Sequence, residues 1–368
     1  MKEGFILGVT APVMTEFGKS KESIQRMHDA GITLVRINDF PYPFIDSGFE
    51  KLSEKYLEQV EFVQKFLDEG LNVMIMPMIP GGSRANADGQ VSYVRNYPEW
   101  MGPVDEDYYY ECMTIGWEYV AKQFAGKVEY WQIANEHDHI NFRGILTHEQ
   151  NVRWMQTVAR AVKKWIPDAK CGTNLSGESD ERPYASLHSY ARKMLKDTYA
   201  PEGLFDYVGL DAYYGSWSAG GPEMWTKYID DAYEVTGKPV MIQEWGYSTL
   251  QRGTPRTQED KNRHFNNSVC REKDWAAEPN GHMWQGKEHS EELQAEYIMA
   301  CEKIFIEHPH CIGNLFFQWQ DQERCWQCGE PDCPSECGWG CFKTDGTPKA
   351  GYYALVKSYQ TYFKSGTD

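Results

Sequence analysis

No run of about eighteen apolar residues occurs in this chain, so nothing in it reads as a bilayer-spanning helix. Positive charge is also scarce: 37 Lys and Arg face 54 Asp and Glu, for a formal net charge of -17. That balance repels phosphate backbones and anionic membrane surfaces over the whole molecule. Nucleic acid and membranes are therefore not expected partners, and neutral or cationic ligands fit better. No Pro/Gly-rich linker divides the 368 residues, and no repeat stands out beyond a coarse rhythm of short apolar runs and helical patterns. Flavin, nicotinamide and phosphate-binding signatures are missing as well. The first apolar segment spans only about ten residues and has no processing site beside it. It reads as a first strand of a soluble protein. A secreted parent that had lost its leader would read the same, so cytoplasmic and secreted locations both stay open.

What is present describes a folded α/β protein. Hydrophobic residues make up 41% and charged residues 25% of the chain, ordinary values that set disorder aside. Short β-rich runs at 5–9, 33–37, 71–76, 128–133, 170–174, 205–210, 239–243 and 312–319 predict eight strands. Helical spacing separates them, as in Tyr56, Val60, Val63 and Phe66. Further helices are expected near 106–124, 147–165, 184–197, 222–236, 290–307 and 349–363. Local periodicity cannot tell a closed sheet from a doubly wound open one. The count of eight strand–helix pairs favours a single (β/α)8 TIM barrel over 1–368, whose strands are buried on both faces and need not alternate strictly. Long stretches without periodicity at 78–105, 246–288 and 320–347 each follow a predicted strand. They read as enlarged βα loops, where barrel enzymes build their sites.

Two acids occupy matching places in this scheme. Glu136 follows the fourth predicted strand and Glu244 the seventh, so both stand at one rim of the barrel and can converge across its mouth. Sugar transfer needs such a pair: one carboxyl protonated to assist the leaving group, the other ionised to attack the anomeric carbon. A single Glu at a strand end is commonly a solvated loop residue. Two of them, with Asn135 beside one and Trp245 beside the other, make that bland reading hard to sustain.

The order of short motifs carries a resemblance over essentially the whole chain: Arg36 in Arg36-Ile37-Asn38-Asp39, Asn135-Glu136, Tyr213 after Asp211-Ala212, Glu244 in Ile242-Gln243-Glu244-Trp245-Gly246, and Trp319 in Phe317-Gln318-Trp319. It resembles the clan of retaining (β/α)8 glycoside hydrolases, the cellulase, mannanase and β-glycosidase-like enzymes that place Asn-Glu after strand four and a Glu nucleophile after strand seven. The resemblance implies retaining hydrolysis of a β-linked oligo- or polysaccharide without a catalytic cofactor. It implies Glu136 as acid/base, Glu244 as nucleophile, Asn135 as donor to the sugar 2-hydroxyl, Arg36 and Tyr213 as donors that orient Glu244, and Trp319 as a floor beneath the sugar. A transglycosylase of the same fold and a non-catalytic carbohydrate-binding barrel are the alternatives. An Arg at a strand end can equally be a structural ion pair, and Tyr213 or Trp319 can equally be packing, with Tyr214 as the competitor to Tyr213.

One departure from the relatives is His137, followed by Asp138 and His139, which could tune Glu136, bind substrate or face solvent. Loop aromatics at Tyr93, Trp100, Trp217, Trp225, Trp284 and Trp339 offer subsite surfaces, though a minority is expected to touch sugar. Asn174 and Ser176, after the fifth strand, are further polar candidates. Finally, Cys325, Cys328, Cys333, Cys337 and Cys341 crowd the stretch 320–347 with spacing C-x2-C-x4-C-x3-C-x3-C. Four of these thiolates could hold a structural tetrahedral zinc, or disulfides could staple the loop in an oxidising compartment, with Cys270 a conceivable extra partner. Cys112, Cys171, Cys301 and Cys311 read as small core residues.

Overall fold

The computed structural model describes residues 4–10, 15–85, 91–144, 146–176, 187–250, 283–325, 331, 333 and 336–364. Eight strands close a parallel barrel: β1 (Ile6–Val9), β2 (Leu34–Phe40), β3 (Asn72–Pro77), β6 (Tyr130–Gln132), β7 (Lys170–Leu175), β8 (Tyr207–Ala212), β9 (Val240–Trp245) and β10 (Cys311–Phe316). Neighbours pair in chain order, and β1 closes the ring by pairing with both β2 and β10. Two further strands, β4 (Gly81–Ala85) and β5 (Val91–Arg95), form an antiparallel hairpin inside the enlarged loop after β3. Helical periodicity had no means of showing that hairpin, because a loop-borne strand pair buries no continuous apolar face.

The surrounding helices are α1 (Lys21–Asp29), α2 (Glu54–Asp68), α3 (Asp107–Phe124), the single-turn α4 (Ile140–Arg143), α5 (His148–Trp165), α6 (Ser189–Thr198), α7 (Met224–Thr236), α8 (Glu291–Glu307) and α9 (Ala350–Tyr359). Their limits follow local chemistry. Helix α5 starts at a capping box in which Thr147 and Gln150 satisfy each other's backbone amides, and Pro167 cannot continue it. It buries Trp154, Met155, Val158, Ala159 and Val162 along one face. Each large apolar side chain so buried contributes about 1.5–3 kcal/mol before conformational entropy is counted. Among the described residues no helix is long and apolar enough to cross a membrane.

Inside the barrel the polarity changes with height. Leu34, Met74, Tyr207, Met241 and Leu315 fill an apolar lower layer. Above it, toward the carboxyl ends of the strands, stand Arg36 on β2, Gln132 on β6, Asn174 on β7, Asp211 on β8 and Gln243 on β9, all buried and engaged in side-chain hydrogen bonds. Buried polar groups are tolerated only when paired, so this upper layer is a built network beneath the carboxyl-terminal rim.

A β-bulge decides what reaches that rim. On β9 the register runs Leu210↔Ile242 and then Asp211↔Glu244, leaving Gln243 as the extra residue, and the pairing with β10 shifts at the same place. Strict alternation would send Gln243 inward and Glu244 out toward the helices. With the extra residue both turn inward, a common use of bulges beside functional sites. Trp245 then takes the outward place.

Candidate active site

Arg36 is fully buried on β2, and its donors are distributed around it. Nε donates to Asn38 Oδ1 at 2.8 Å and Thr10 Oγ1 at 3.1 Å, Nη1 to Gln132 Oε1 at 2.8 Å, and Nη2 to Glu244 Oε1. Burial opposes the guanidinium charge, but the carboxylates of Glu244 and Asp211 outweigh it and hold its proton affinity above the usual value. Tyr213, just past β8, donates its hydroxyl to Glu244 Oε2. Burial, then Glu244, Asp211 and Glu136, push the phenol well above its ordinary range, so it stays a donor. Each oxygen of Glu244 therefore meets a fixed donor, which orients the carboxylate.

Glu136 stands past β6 with a left-handed backbone, φ 39°, a conformation that non-glycine residues adopt at a cost of order 1–3 kcal/mol. Its amide donates to Asn174 Oδ1 at 2.6 Å, and its carbonyl accepts from the His139 amide at 2.8 Å. These bonds hold the turn that leaves Glu136 at the same rim as Glu244. Asn135 Oδ1 accepts from Gln132 Nε2 at 3.1 Å and from Asn174 Nδ2 at 3.2 Å. Asn174 thus belongs to the support beneath Asn135-Glu136. Ser176 supports the same turn two residues on, its amide donating to Asp138 Oδ1 at 2.9 Å.

The aromatic expectations divide. Trp319 is fully buried, donates Nε1 to Ser23 Oγ at 2.8 Å and packs on Phe342 and Tyr352. No face of it is open to a sugar, so the floor expected there is corrected. Strand β10 ends at Phe316, three residues before Trp319, and the chain has turned into the wall by then. Phe317 lies near the site instead, with its ring centroid 5.4 Å from Tyr213 and 5.9 Å from Trp339. Trp245 is likewise buried, against Phe305 and Phe316, with Nε1 donating to Asn314. It faces the helices, a second correction that follows from the bulge. Trp217 and Trp339 do join Tyr213, at centroid distances of 4.4 and 5.0 Å, and Trp217 keeps part of its surface exposed. Trp225 is core, packed on Tyr214 and Phe305.

Glycine permits the close approach that forms this aromatic wall. A Cβ on Gly246 would lie 2.1 Å from the Phe317 carbonyl oxygen and 3.4 Å from the Trp339 ring. No larger residue fits without moving the Phe317 backbone.

His137 is buried, and burial pushes its imidazole down to about 4, with Asp138 and the Asn174 backbone opposing. It is neutral near pH 7 and supplies no positive charge to Glu136. The unfolded chain would protonate it below about 6.5, so its contribution to stability is complete above that value and is lost as pH falls toward 4. Between pH 7 and about pH 4.5 this amounts to roughly 2–3 kcal/mol. Urea unfolding of His137→Gln is expected to show a correspondingly smaller loss over that interval than the parent; equal losses would remove this account.

The cysteines also divide. Cys325, Cys333 and Cys337 cluster with Leu250 beside them. Cys341 lies apart in the main core, its amide donating to the carbonyls of Gln318 and Trp319 and its thiol pushed up by burial. A four-thiolate set that includes Cys341 is therefore corrected. Cys270, Cys328 and the side chain of Tyr93 lie outside the described residues. Among the described residues no disulfide joins two cysteines and no group of His, Cys, Asp or Glu has a metal-holding arrangement.

No family model and no curated protein matches this sequence. Solved structures do match its fold. A GH5_18 protein from Streptomyces cattleya in complex with GlcNAc superposes with a TM-score of 0.64 and 14% identity, over 99% of this chain and 82% of that one. A family 1 β-glucosidase from Thermotoga maritima gives 0.61 and 14%, over 97% and 98%. A Bacteroides uniformis β-glucuronidase gives 0.59 and 15%, over 97% of this chain but 35% of its own. The chain therefore has a (β/α)8 barrel similar to those of glycoside hydrolases.

Proposed function

We propose that this protein hydrolyses a β-glycosidic bond with net retention, through a covalent glycosyl-enzyme, with Glu244 as nucleophile and Glu136 as acid/base. The observation that carries this reading is the double restraint on Glu244 by Arg36 and Tyr213, at the rim it shares with Glu136. A carboxylate so held is aimed, ready to attack an anomeric carbon. Glu136 then protonates the departing oxygen, and afterwards takes a proton from the water that breaks the ester. With Asn135 Oδ1 occupied, its Nδ2 is the end that serves the sugar 2-hydroxyl. Trp217 and Phe317 supply the apolar wall in place of Trp319, backed from behind by the fully buried Trp339. Cys325, Cys333 and Cys337 serve the structure of the loop that carries Trp339, whether through a thiolate-held zinc or through disulfides, and take no part in bond cleavage.

The substrate class is a neutral β-linked oligo- or polysaccharide, in keeping with the acidic chain. A screen of chromogenic β-glycosides and polysaccharides tests this, with proton NMR of the first product formed. The β-anomer is expected before mutarotation. An α-anomer would mean inversion, and no turnover across the panel would leave a binding barrel. Transfer to an added acceptor sugar would instead show the transglycosylase of the same site.

A further inference from the structure

Asp211 of β8, which precedes Ala212 and Tyr213, is buried in the upper barrel layer between the two catalytic candidates. On one side it is the register partner of Glu244 across β8 and β9. On the other, its Oδ2 accepts from Asn174 Nδ2 at 2.6 Å. The same Asn174 offers Oδ1 to the Glu136 amide at 2.6 Å and Nδ2 to Asn135 Oδ1 at 3.2 Å. Asn174 Oδ1 is held by the Glu136 amide, so its Nδ2 end meets Asp211, whose Oδ2 accepts; Asp211 thereby fixes which end of the Asn174 amide points where. If the amide turned over, Glu136 N–H would face an NH2 group and the left-handed turn at Glu136 would lose its restraint. The circuit continues from Asn135 to Gln132, from Gln132 to Arg36, and from Arg36 to Glu244.

We propose that Asp211 is a positioning residue for the acid/base, acting through Asn174 to hold Glu136 at the leaving-group side of the site. This rests on the assignment of Glu136 above. Burial, with Glu244 and Glu136 adding to it and Arg36 and Asn174 opposing, pushes Asp211 well above the usual carboxylate range. It touches no reacting atom, so its influence must appear in the step that needs the acid.

That step can be isolated by leaving group. Departure of 2,4-dinitrophenolate needs little protonation, whereas 4-methoxyphenolate needs the acid. The kcat/KM of Asp211→Leu is therefore to be measured on both aryl β-glycosides of the sugar that the screen identifies, beside Asp211→Asn, whose amide oxygen can still accept from Asn174. Expected for Asp211→Leu is a loss of about 10- to 100-fold on the 4-methoxyphenyl glycoside and less than about 3-fold on the dinitrophenyl one, with Asp211→Asn restoring most of the difference. The rate of covalent labelling by a fluorinated glycoside with an activated leaving group should stay near the parent value, which reports an intact fold and nucleophile. Equal losses on both glycosides, slowed labelling or no loss at all would overturn the proposal. Should Glu136→Ala itself lack leaving-group dependence, the acid/base assignment would fail and this proposal with it.

Discussion

Glu244→Ala is expected to lower turnover by on the order of 10⁵-fold, because it removes the carboxylate that Arg36 and Tyr213 hold in place to attack the anomeric carbon. Losses of this size, about 7 kcal/mol in the barrier, accompany removal of an enzyme's nucleophile. The same substitution leaves the fully buried Arg36 without its ionic partner. Stranding a buried charge costs about 3–5 kcal/mol, so the Ala variant should also unfold at lower urea. Glu244→Gln separates the two effects. Its amide oxygen can accept from Arg36, so stability should recover in large part while hydrolysis stays abolished. Parent-like turnover in the Gln variant, measured on the best chromogenic substrate, would remove Glu244 from the mechanism.

For Glu136→Ala the expected pattern depends on substrate. Loss of a general acid costs about 10²–10⁴ with a poor leaving group. With a dinitrophenyl glycoside the first step needs little help, so the intermediate forms and then breaks down slowly for want of a base. Azide needs no deprotonation and can enter the space left by the side chain. Adding it should accelerate turnover and yield the β-glycosyl azide, the anomer required if an α-linked ester is opened from the opposite face. An α-azide, or azide acceleration in Glu244→Ala with no such effect in Glu136→Ala, would exchange the roles of the two acids.

Much of the architecture was legible because barrel strands announce themselves as short apolar runs. Six of the eight were bounded to within about two residues, within the usual uncertainty of strand ends, and the second was cut three residues short of its end at Phe40. The eighth was drawn too long. Its apolar and aromatic letters continue from 312 to 319, but the strand ends at Phe316, and pattern alone cannot separate a strand from an aromatic segment that turns back into a wall. The misplacement of Trp319 follows from that overrun. Trp245 failed for a different reason: a one-residue bulge at Gln243 reversed the facing of everything after it, and a bulge leaves no mark in composition. Asp211, by contrast, could have been found. Tyr207, Gly209, Asp211 and Tyr213 share one face of β8 by simple alternation, and an acid in line with the expected Tyr213 had to lie inside the barrel. The cysteine cluster was visible from its spacing, whereas the separation of Cys341 from Cys325, Cys333 and Cys337 depends on how the loop folds back over Trp319.

The central claim is that Glu244 forms a bond to the sugar. A 2-fluoro β-glycoside with an activated leaving group slows both steps but slows hydrolysis of the ester more, so the intermediate accumulates. After digestion and peptide mass mapping, the account predicts a single fluoroglycosyl adduct on the peptide containing Ile242-Gln243-Glu244-Trp245, with fragmentation placing it on Glu244. An adduct on Glu136 or any other residue, or stoichiometric turnover that never leaves one, would contradict it.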